Sequence, residues 1–508
     1  MFSKVFSVSV NGLSGSKIDV ELDVSNGMPA FNIVGLPDTA IQESKERVRS
    51  ALKNSGFAFP STRITVNLAP ADVRKKGPSF DLPIAIGILC REHDFLEEYM
   101  ENSLFVGELA LDGKLRGVNA ILPSVIFAKE NGIKHMFLPL ENLEEASLIP
   151  DVHLIGVADL ASLIRILSGE DPLPAHTPID PKTYMKKYRS GVKNTGFEHV
   201  IGQEHAKRAL VIAAAGGHNI LMEGPPGSGK TMLAKAFSTI LPDMDFSEIV
   251  DVSRIYSVAG LLSKGHPLIF ARPFRKVHHT ASDISIIGGG RDSRPGEISL
   301  AHKGVLFLDE FLEFEGKLLE MLRQPLEDGE ISINRVNASY TYPAKFILIG
   351  ALNPCPCGFL GDKEKSCICS ESQIERYRSK LSGPILDRID LFIRVPRIKI
   401  EDFAEHKKTP KTSEELKNQI ERARTFGKKR FAGTKKTSNA EMANEDVEKY
   451  CILAKEEDTF IKNAMERLHL STRIYFRILK LARTIADLEG SADIRLPHLA
   501  EALSYRKI

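Results

Sequence analysis

The sequence predicts an α/β chain in which two α/β domains are followed by a C-terminal helical lid. Three observations predict it. Residues 1–168 alternate strand-like and helix-like segments, and residues 198–395 do so again around a glycine-rich loop at 224–231. From 438 to the end the pattern is helical: Ile474, Ile478, Leu481, Ile485 and Leu488 form an apolar stripe at helical spacing, and Gly490 follows as a C-terminal cap.

A chain of 508 residues has room for about three domains. Its 68 basic and 66 acidic residues give a net charge of +2, so any nucleic-acid binding must come from local patches. No apolar run approaches the ~20 residues that a bilayer span needs, so no membrane partner is expected. Met1–Ser7 lacks a signal-peptide core, and a cytoplasmic protein is the expectation.

In the first domain, Arg63–Leu68 alternates as a strand, Thr39–Ser55 carries the charged and apolar mix of a surface helix, and Phe105–Leu109 reads as a further strand. Residues 169–197, with Pro172, Pro174, Pro178 and Pro181, read as a linker. Residues 396–437 are charged and poor in large apolar residues, and read as a basic linker. Within them Arg422, Arg424, Lys428, Lys429, Arg430, Lys435 and Lys436 occur without an acid between. Such a run either neutralises nucleic-acid phosphates or is simply a solvated face. Residues 438–508 form the lid.

The loop at 224–231 is Gly224, Pro225, Pro226, Gly227, Ser228, Gly229, Lys230 and Thr231, between a short apolar strand (219–223) and a helix. Its glycines let backbone N–H groups turn towards phosphate oxygens, and the helix N-terminus adds positive potential. Lys230 supplies a cation for the outer phosphates and Thr231 a hydroxyl for Mg²⁺. The apolar strand Val305–Leu308 ends in Asp309 and Glu310; Asp309 suits Mg²⁺ ligation through water and Glu310 suits polarisation of an attacking water. A second apolar strand, 346–352, ends at Asn353, whose amide can orient water or touch the γ-phosphate. Arg388 and Arg473 are candidates for stabilising charge on that phosphate, from the same chain or a neighbouring one.

Four cysteines, Cys355, Cys357, Cys367 and Cys369, form two C-x-C pairs nine residues apart. Four thiolates suit tetrahedral structural Zn²⁺, although C-x-C is tighter than the usual gap; reduced thiols and a redox switch are the alternatives. His278 and His279 are adjacent and read as polar or DNA-facing residues, not ligands.

Taken together, 224–231, 305–310, Asn353, Arg388 and Arg473 resemble the AAA+ ATPases of the magnesium-chelatase, helix-2-insert branch. More specific stretches resemble the ComM/YifB family: Arg272-Pro273-Phe274-Arg275, His278-His279-Thr280, Gly288-Gly289-Gly290, Arg294 to His302, Asn353 to Gly358, Phe31 to Asp38 and Lys76 to Pro83. The resemblance spans essentially the whole chain. It implies an ATP- and Mg²⁺-dependent hexameric DNA motor, a helicase acting on single-stranded or branched DNA that promotes branch migration in natural transformation and recombination. It also implies that Arg388 acts across the subunit interface and that Arg473 is the second sensor. Residues 251–300 then hold the helix-2 insertion. Glu330–Tyr342 form a pore-facing hairpin with Asn337 at its tip and Arg335 on DNA phosphate. The other readings are a metal-chelatase ATPase subunit and an ATP-dependent protease or scaffold.

Residues 1–168 resemble the Lon-type protease domain: Gly77-Pro78-Ser79 matches its nucleophile segment, and Gly107–Arg116 the strand region that follows. The general-base position falls in Ile121-Leu122-Pro123-Ser124, where no lysine stands. A Ser–Lys dyad needs a lysine able to shed its proton, so the domain is expected to be a proteolytically silent scaffold or a DNA- or partner-binding module, unless Lys75, Lys76 or Lys114 approaches Ser79. An ATP-fuelled degradation assay on a denatured substrate should therefore show no cleavage; cleavage abolished by Ser79→Ala would overturn this.

Overall fold

The computed structural model describes residues 2–174, 196–262, 268–290, 293–335, 338–362, 364–381, 383–397, 412–434 and 436–506. The chain forms two compact units, Met1–Ser190 with Phe246–Phe270, and Gly191–Asp245 with Ala271–Ile508.

In the first unit β1 (Phe2–Asn11), β2 (Ser14–Ser25), β3 (Ala30–Val34) and β4 (Arg63–Ala69) form a sheet ordered β1-β2-β4-β3, antiparallel except for the β3–β4 pair. Alternation explains which face is buried: Ile18, Val20 and Leu22 on β2 and Ile64, Val66 and Leu68 on β4 all point into the core. The helix Thr39–Asn54 starts at Asp38, whose carboxylate accepts the Ile41 N–H at 2.9 Å. The next helix, Asp81–Leu89, is buried along its whole length. Asp81 is fully buried and takes two bonds from Arg47, at 2.7 and 3.1 Å, and one from the Leu109 N–H at 3.2 Å. Burial pushes this carboxyl up despite those partners.

β5 (Ser103–Phe105), the two-strand ribbon of β6 (Glu108–Leu109) and β7 (Leu115–Arg116), β8 (His135–Pro139) and β9 (His153–Val157) follow; β5, β8 and β9 form a parallel sheet. Ser79 lies in the 3₁₀ turn Pro78–Phe80, with its carbonyl bound to the Gly107 N–H at 3.0 Å. Ser124 lies in the first turn of the helix Ile121–Glu130. Lys75 is fully buried and gives its ammonium to the Pro70 carbonyl, and Lys114 pairs with Asp112 at 3.2 Å.

The insertion expected at 251–300 is divided. The helix Phe246–Ala259 belongs to the first unit, buries Ile249, Val252 and Ile255, and packs on the helix Ile121–Glu130. Arg254 Nε donates to the Leu13 carbonyl at 2.9 Å, and Ser257 Oγ to Glu145 Oε1 at 2.7 Å. Residues 271–300 belong to the second unit.

That unit is built on a five-stranded parallel sheet: β10 (Ile220–Glu223), β11 (Phe274–Val277), β14 (Val305–Leu308), β17 (Ile347–Leu352) and β18 (Leu391–Arg394), ordered β11-β14-β17-β10-β18. Two antiparallel ribbons decorate it, β12 (Gly288–Gly289) with β13 (Arg294–Pro295), and β15 (Glu330–Arg335) with β16 (Ala338–Pro343). The second is the expected hairpin, with Ile331, Ile333 and Tyr342 buried at its base. Its tip, Asn337, and the side chain of Arg335 lie outside the described residues. The helices Glu204–Gly216 and Lys230–Ile240 share one apolar core with the lid helix Thr472–Leu488, whose Ile478, Leu481 and Ile485 are buried as the stripe requires.

The linker reading of 396–437 is corrected in part. Ser413–Arg430 is an 18-residue helix, started by a Thr412–Glu415 capping box, with Leu416, Ile420 and Ala423 in the core. Two of its arginines are structural: Arg424 caps the carbonyls of Ala214 and Ala215, and Arg430 makes a two-pronged pair with Asp487 at 2.8 and 3.0 Å. Few apolar residues sufficed because they recur at helical spacing. Among the described residues, no helix is long and apolar enough to cross a membrane.

Burial raises the Glu145 carboxyl to about 7 from 4.5, against hydrogen bonds from Ser257, Leu122 and Asn142. The folded chain therefore keeps a proton that the unfolded chain releases between pH 4.5 and 7, and stability falls as pH rises through that window, by about 3 kcal/mol. Glu145→Gln should raise the melting temperature at pH 8 and change it little at pH 4.5; equal shifts at both would show that Glu145 is not buried with its proton.

Candidate nucleotide site

In a parallel sheet, ligands bind beyond the carboxyl ends of the strands. Three of the expected clusters arrive there by strand order: the phosphate loop follows β10, Asp309 and Glu310 follow β14, and Asn353 follows β17, which lies between them. The loop is pinned at its start. Gly224 N–H bonds the Leu352 carbonyl at 3.1 Å, and a Cβ on Gly224 would lie 2.2 Å from the Val395 carbonyl oxygen, so only glycine fits. At its end Gly229 caps the helix Lys230–Ile240, whose first N–H groups face the loop.

Lys230 Nζ bonds the carbonyls of Gly224 at 2.5 Å and Pro225 at 3.0 Å, and lies 3.3 Å from Asn353 Oδ1. Burial lowers its pKa to about 8, partly offset by Asp309. Thr231 Oγ1 donates to Asp309 Oδ2 at 3.2 Å. A hydroxyl and a carboxylate converging in this way form the hard oxygen set that Mg²⁺ takes, and the pair fits that ion. Glu310 adopts a left-handed backbone (φ 55°), a conformation that costs about 1–3 kcal/mol and is kept where surroundings enforce it.

Two further residues reach the carboxylates from β11, and the sequence reading missed both roles. Lys276 Nζ lies 2.9 Å from the same Asp309 Oδ2 that Thr231 meets. His279 Nδ1 lies 2.9 Å from Glu310 Oε2, with the ring turned out of line for a hydrogen bond. The parallel register, Val277 opposite Leu308, sets His278 and His279 alongside Asp309 and Glu310. The ligand atoms of His278, His279 and Glu310 fall within 4.8 Å of one another, so the histidine pair belongs to the carboxylate site. The signal was the strand register, which needs the tertiary pairing.

The other two expected residues are elsewhere. Arg388 precedes β18, and its carbonyl accepts from Asn219 Nδ2 at 3.0 Å at the start of β10. It is therefore at the opposite edge of the sheet from the phosphate loop, about 13 Å away by strand rise. It is 3% exposed and bonds Glu327. Arg473 Nη2 bonds the same carboxylate at 2.7 Å. Lys230, Thr231, Asp309, Glu310 and Asn353 thus form one cluster, and Arg388 and Arg473 form another, joined by Glu327.

The four cysteines converge directly after Asn353. All four sulfurs lie within 4.8 Å of one another, with Cys355–Cys357 at 3.4 Å and Cys367 at 3.6 Å from each. A tetrahedron with Zn–S of about 2.3 Å needs S···S of about 3.8 Å, so the donor set fits zinc. The N–H groups of Phe359 and Ile368 hold the Cys357 thiol down to about 6, and the Leu360 N–H points at Cys355 Sγ at 3.3 Å. A Cβ on Gly358, inside this loop, would lie 2.6 Å from Pro226 Cδ, so the cysteine loop abuts the phosphate loop.

Three family models match the chain. "Magnesium chelatase, subunit ChlI" covers residues 196–403, "Subunit ChlI of Mg-chelatase" covers 20–142, and "Magnesium chelatase, subunit ChlI C-terminal" covers 410–506. The competence protein ComM of Haemophilus influenzae is 43% identical over 503 residues, 99% of this chain and 97% of its own. YifB of Salmonella typhimurium is 40% identical over 98% of this chain and 95% of its own. The magnesium-chelatase 38 kDa subunit of Rhodobacter capsulatus is 27% identical over 31% of this chain and 50% of its own. With the P-loop, the carboxylates of β14 and the helical C-terminal region in one parallel-sheet unit, the chain belongs to the ComM/YifB family of magnesium-chelatase-like AAA+ ATPases.

Proposed function

We propose that the protein is an ATP-driven DNA motor that works as a ring, a hexameric helicase promoting branch migration of recombination intermediates, as in natural transformation, in the cytoplasm. The observation that carries the ring is the separation of the site into two clusters. Arg388 and Arg473 sit at the sheet edge opposite the chain's own phosphate loop, so the phosphate they serve belongs to a neighbouring copy. Lys230 and Asn353 hold the γ-phosphate side of the bound ATP. Thr231 and Asp309 would hold Mg²⁺, which would supply charge neutralisation at the phosphates. Glu310 takes the proton of the attacking water. An arginine from a neighbour is worth about three to five orders of magnitude in such reactions.

DNA as partner is supported by the resemblance to ComM, named a competence protein, over 99% of the chain. The hairpin β15–β16 and exposed Arg422, Lys428 and Lys429 are the candidate contacts; Arg424 and Arg430 are already engaged. The chelatase reading is supported by the three magnesium-chelatase family models, and it is second because the magnesium-chelatase relative covers 31% of the chain against 99% for ComM. The first unit serves as a scaffold or partner module.

ATPase turnover with single-stranded or branched DNA should exceed turnover without it, and strand displacement should vanish in Lys230→Ala. Turnover indifferent to every DNA would sink the motor reading. Purified protein should carry about one structural zinc per chain, and stripping it should weaken ATP binding through the Gly358–Pro226 contact. Less than about half an equivalent of zinc removes that assignment.

A further inference from the structure

Glu327 lies at the end of the helix Arg323–Asp328, three residues before β15. One of its carboxylate oxygens takes Arg388 and the other takes Arg473, at 2.7 Å. Asp387 stands 3.9 Å from Arg473, a weaker contact. The nearest other carboxylate in this stretch, Asp390, is bound to Arg477 at 2.6 Å and to the Asn219 N–H at 3.0 Å.

Two guanidinium groups brought to one place repel, and a buried one such as Arg388 needs a charged partner. A carboxylate between them removes the repulsion, fixes both forks through charge-assisted hydrogen bonds, and leaves the trio with net positive charge for an anion. The arginines hold the Glu327 carboxyl below its usual range, with Arg388 the main cause. Glu327 and Arg473 are each half exposed and Arg388 lies buried behind them, so the trio is reachable from outside the chain through Arg473.

We propose that Glu327 is a positioning residue that sets Arg388 and Arg473 as one cationic pair for the ATP phosphate of a neighbouring chain. The proposal rests on the ring reading above. Glu327 touches neither nucleotide nor metal; it acts through the two arginines. It is therefore expected to change turnover and not ATP affinity.

The test compares wild type, Glu327→Gln and Glu327→Asp for kcat, KM and melting temperature, without DNA. Glu327→Gln should lose about fivefold or more in kcat, the scale of losing part of one charge-assisted hydrogen bond, with KM little changed and the melting temperature lowered because buried Arg388 loses its charged partner. Glu327→Asp should recover much of it. Chains are then mixed. Lys230→Ala is dead at its own phosphate loop but offers intact arginines, so mixing it with Glu327→Gln should give more turnover than either alone. Arg388→Ala mixed with Lys230→Ala is the control and should recover too.

Wild-type kcat in Glu327→Gln overturns the proposal, as does recovery in the Arg388→Ala mixture alone. If neither mixture recovers, the neighbouring-chain reading fails, and Glu327 stands as a positioning residue only if the kcat loss and aspartate rescue hold. Absence of DNA stimulation bears on the motor reading alone.

Discussion

Asp390 is the charge on which the second unit depends. It sits just before β18 and binds Arg477 of the lid helix at 2.6 Å and the Asn219 N–H at the start of β10. Burial pushes its carboxyl up, but Arg477, His218 and Arg506 outweigh that and hold it well below the usual carboxylate range. Taking away one partner of such a buried pair costs about 3–5 kcal/mol, because the other charge is stranded. The consequence is geometric. Arg388 is two residues before Asp390, and Arg473 is one helical turn before Arg477. One ion pair thus ties the lid to the sheet edge and fixes the two places from which the arginines project.

The carboxyl-edge cluster follows from strand order. Placing β17 between β10 and β14 puts Asn353 between the phosphate loop and the two carboxylates without any long side chain having to reach. The structure tolerates a left-handed Glu310 there, and crowds Lys276 and Thr231 onto a single oxygen of Asp309. A strained backbone of this kind persists only where the packing beneath is rigid. The wholly buried β14 and the five buried residues of β17 that precede Asn353 supply that rigidity.

What was legible in the sequence was local. The phosphate loop declares itself because its glycines, lysine and threonine are consecutive, and β14 because four apolar residues end in two acids. The lid stripe was legible through periodicity, and the hairpin through the family resemblance. What was not legible depended on distant partners. Nothing around Glu327 marks it as the meeting point of two arginines 61 and 146 residues away. Lys276 and His279 gain their roles from the β11–β14 register. The helix Ser413–Arg430 was read as a linker because its charge hides a narrow apolar stripe, and because Arg424 and Arg430 look solvated until Ala214 and Asp487 are seen beside them. The helix Phe246–Ala259 joins the first unit by contacts that no neighbouring residue announces.

These placements bear on what a single chain can do. Its phosphate loop, carboxylates and Asn353 lie together in one cluster, and the cysteine loop abuts the phosphate loop through Gly358 and Pro226. The cations that would stabilise charge on the outer phosphate are held at the other edge of the same sheet. The length of β10 separates the Arg388 backbone from the phosphate loop. Binding and hydrolysis therefore have different structural requirements. The first is met by one unit's fold, and the second, on the ring reading proposed above, by an assembly in which Arg388 and Arg473 of one copy face the phosphate loop of the next.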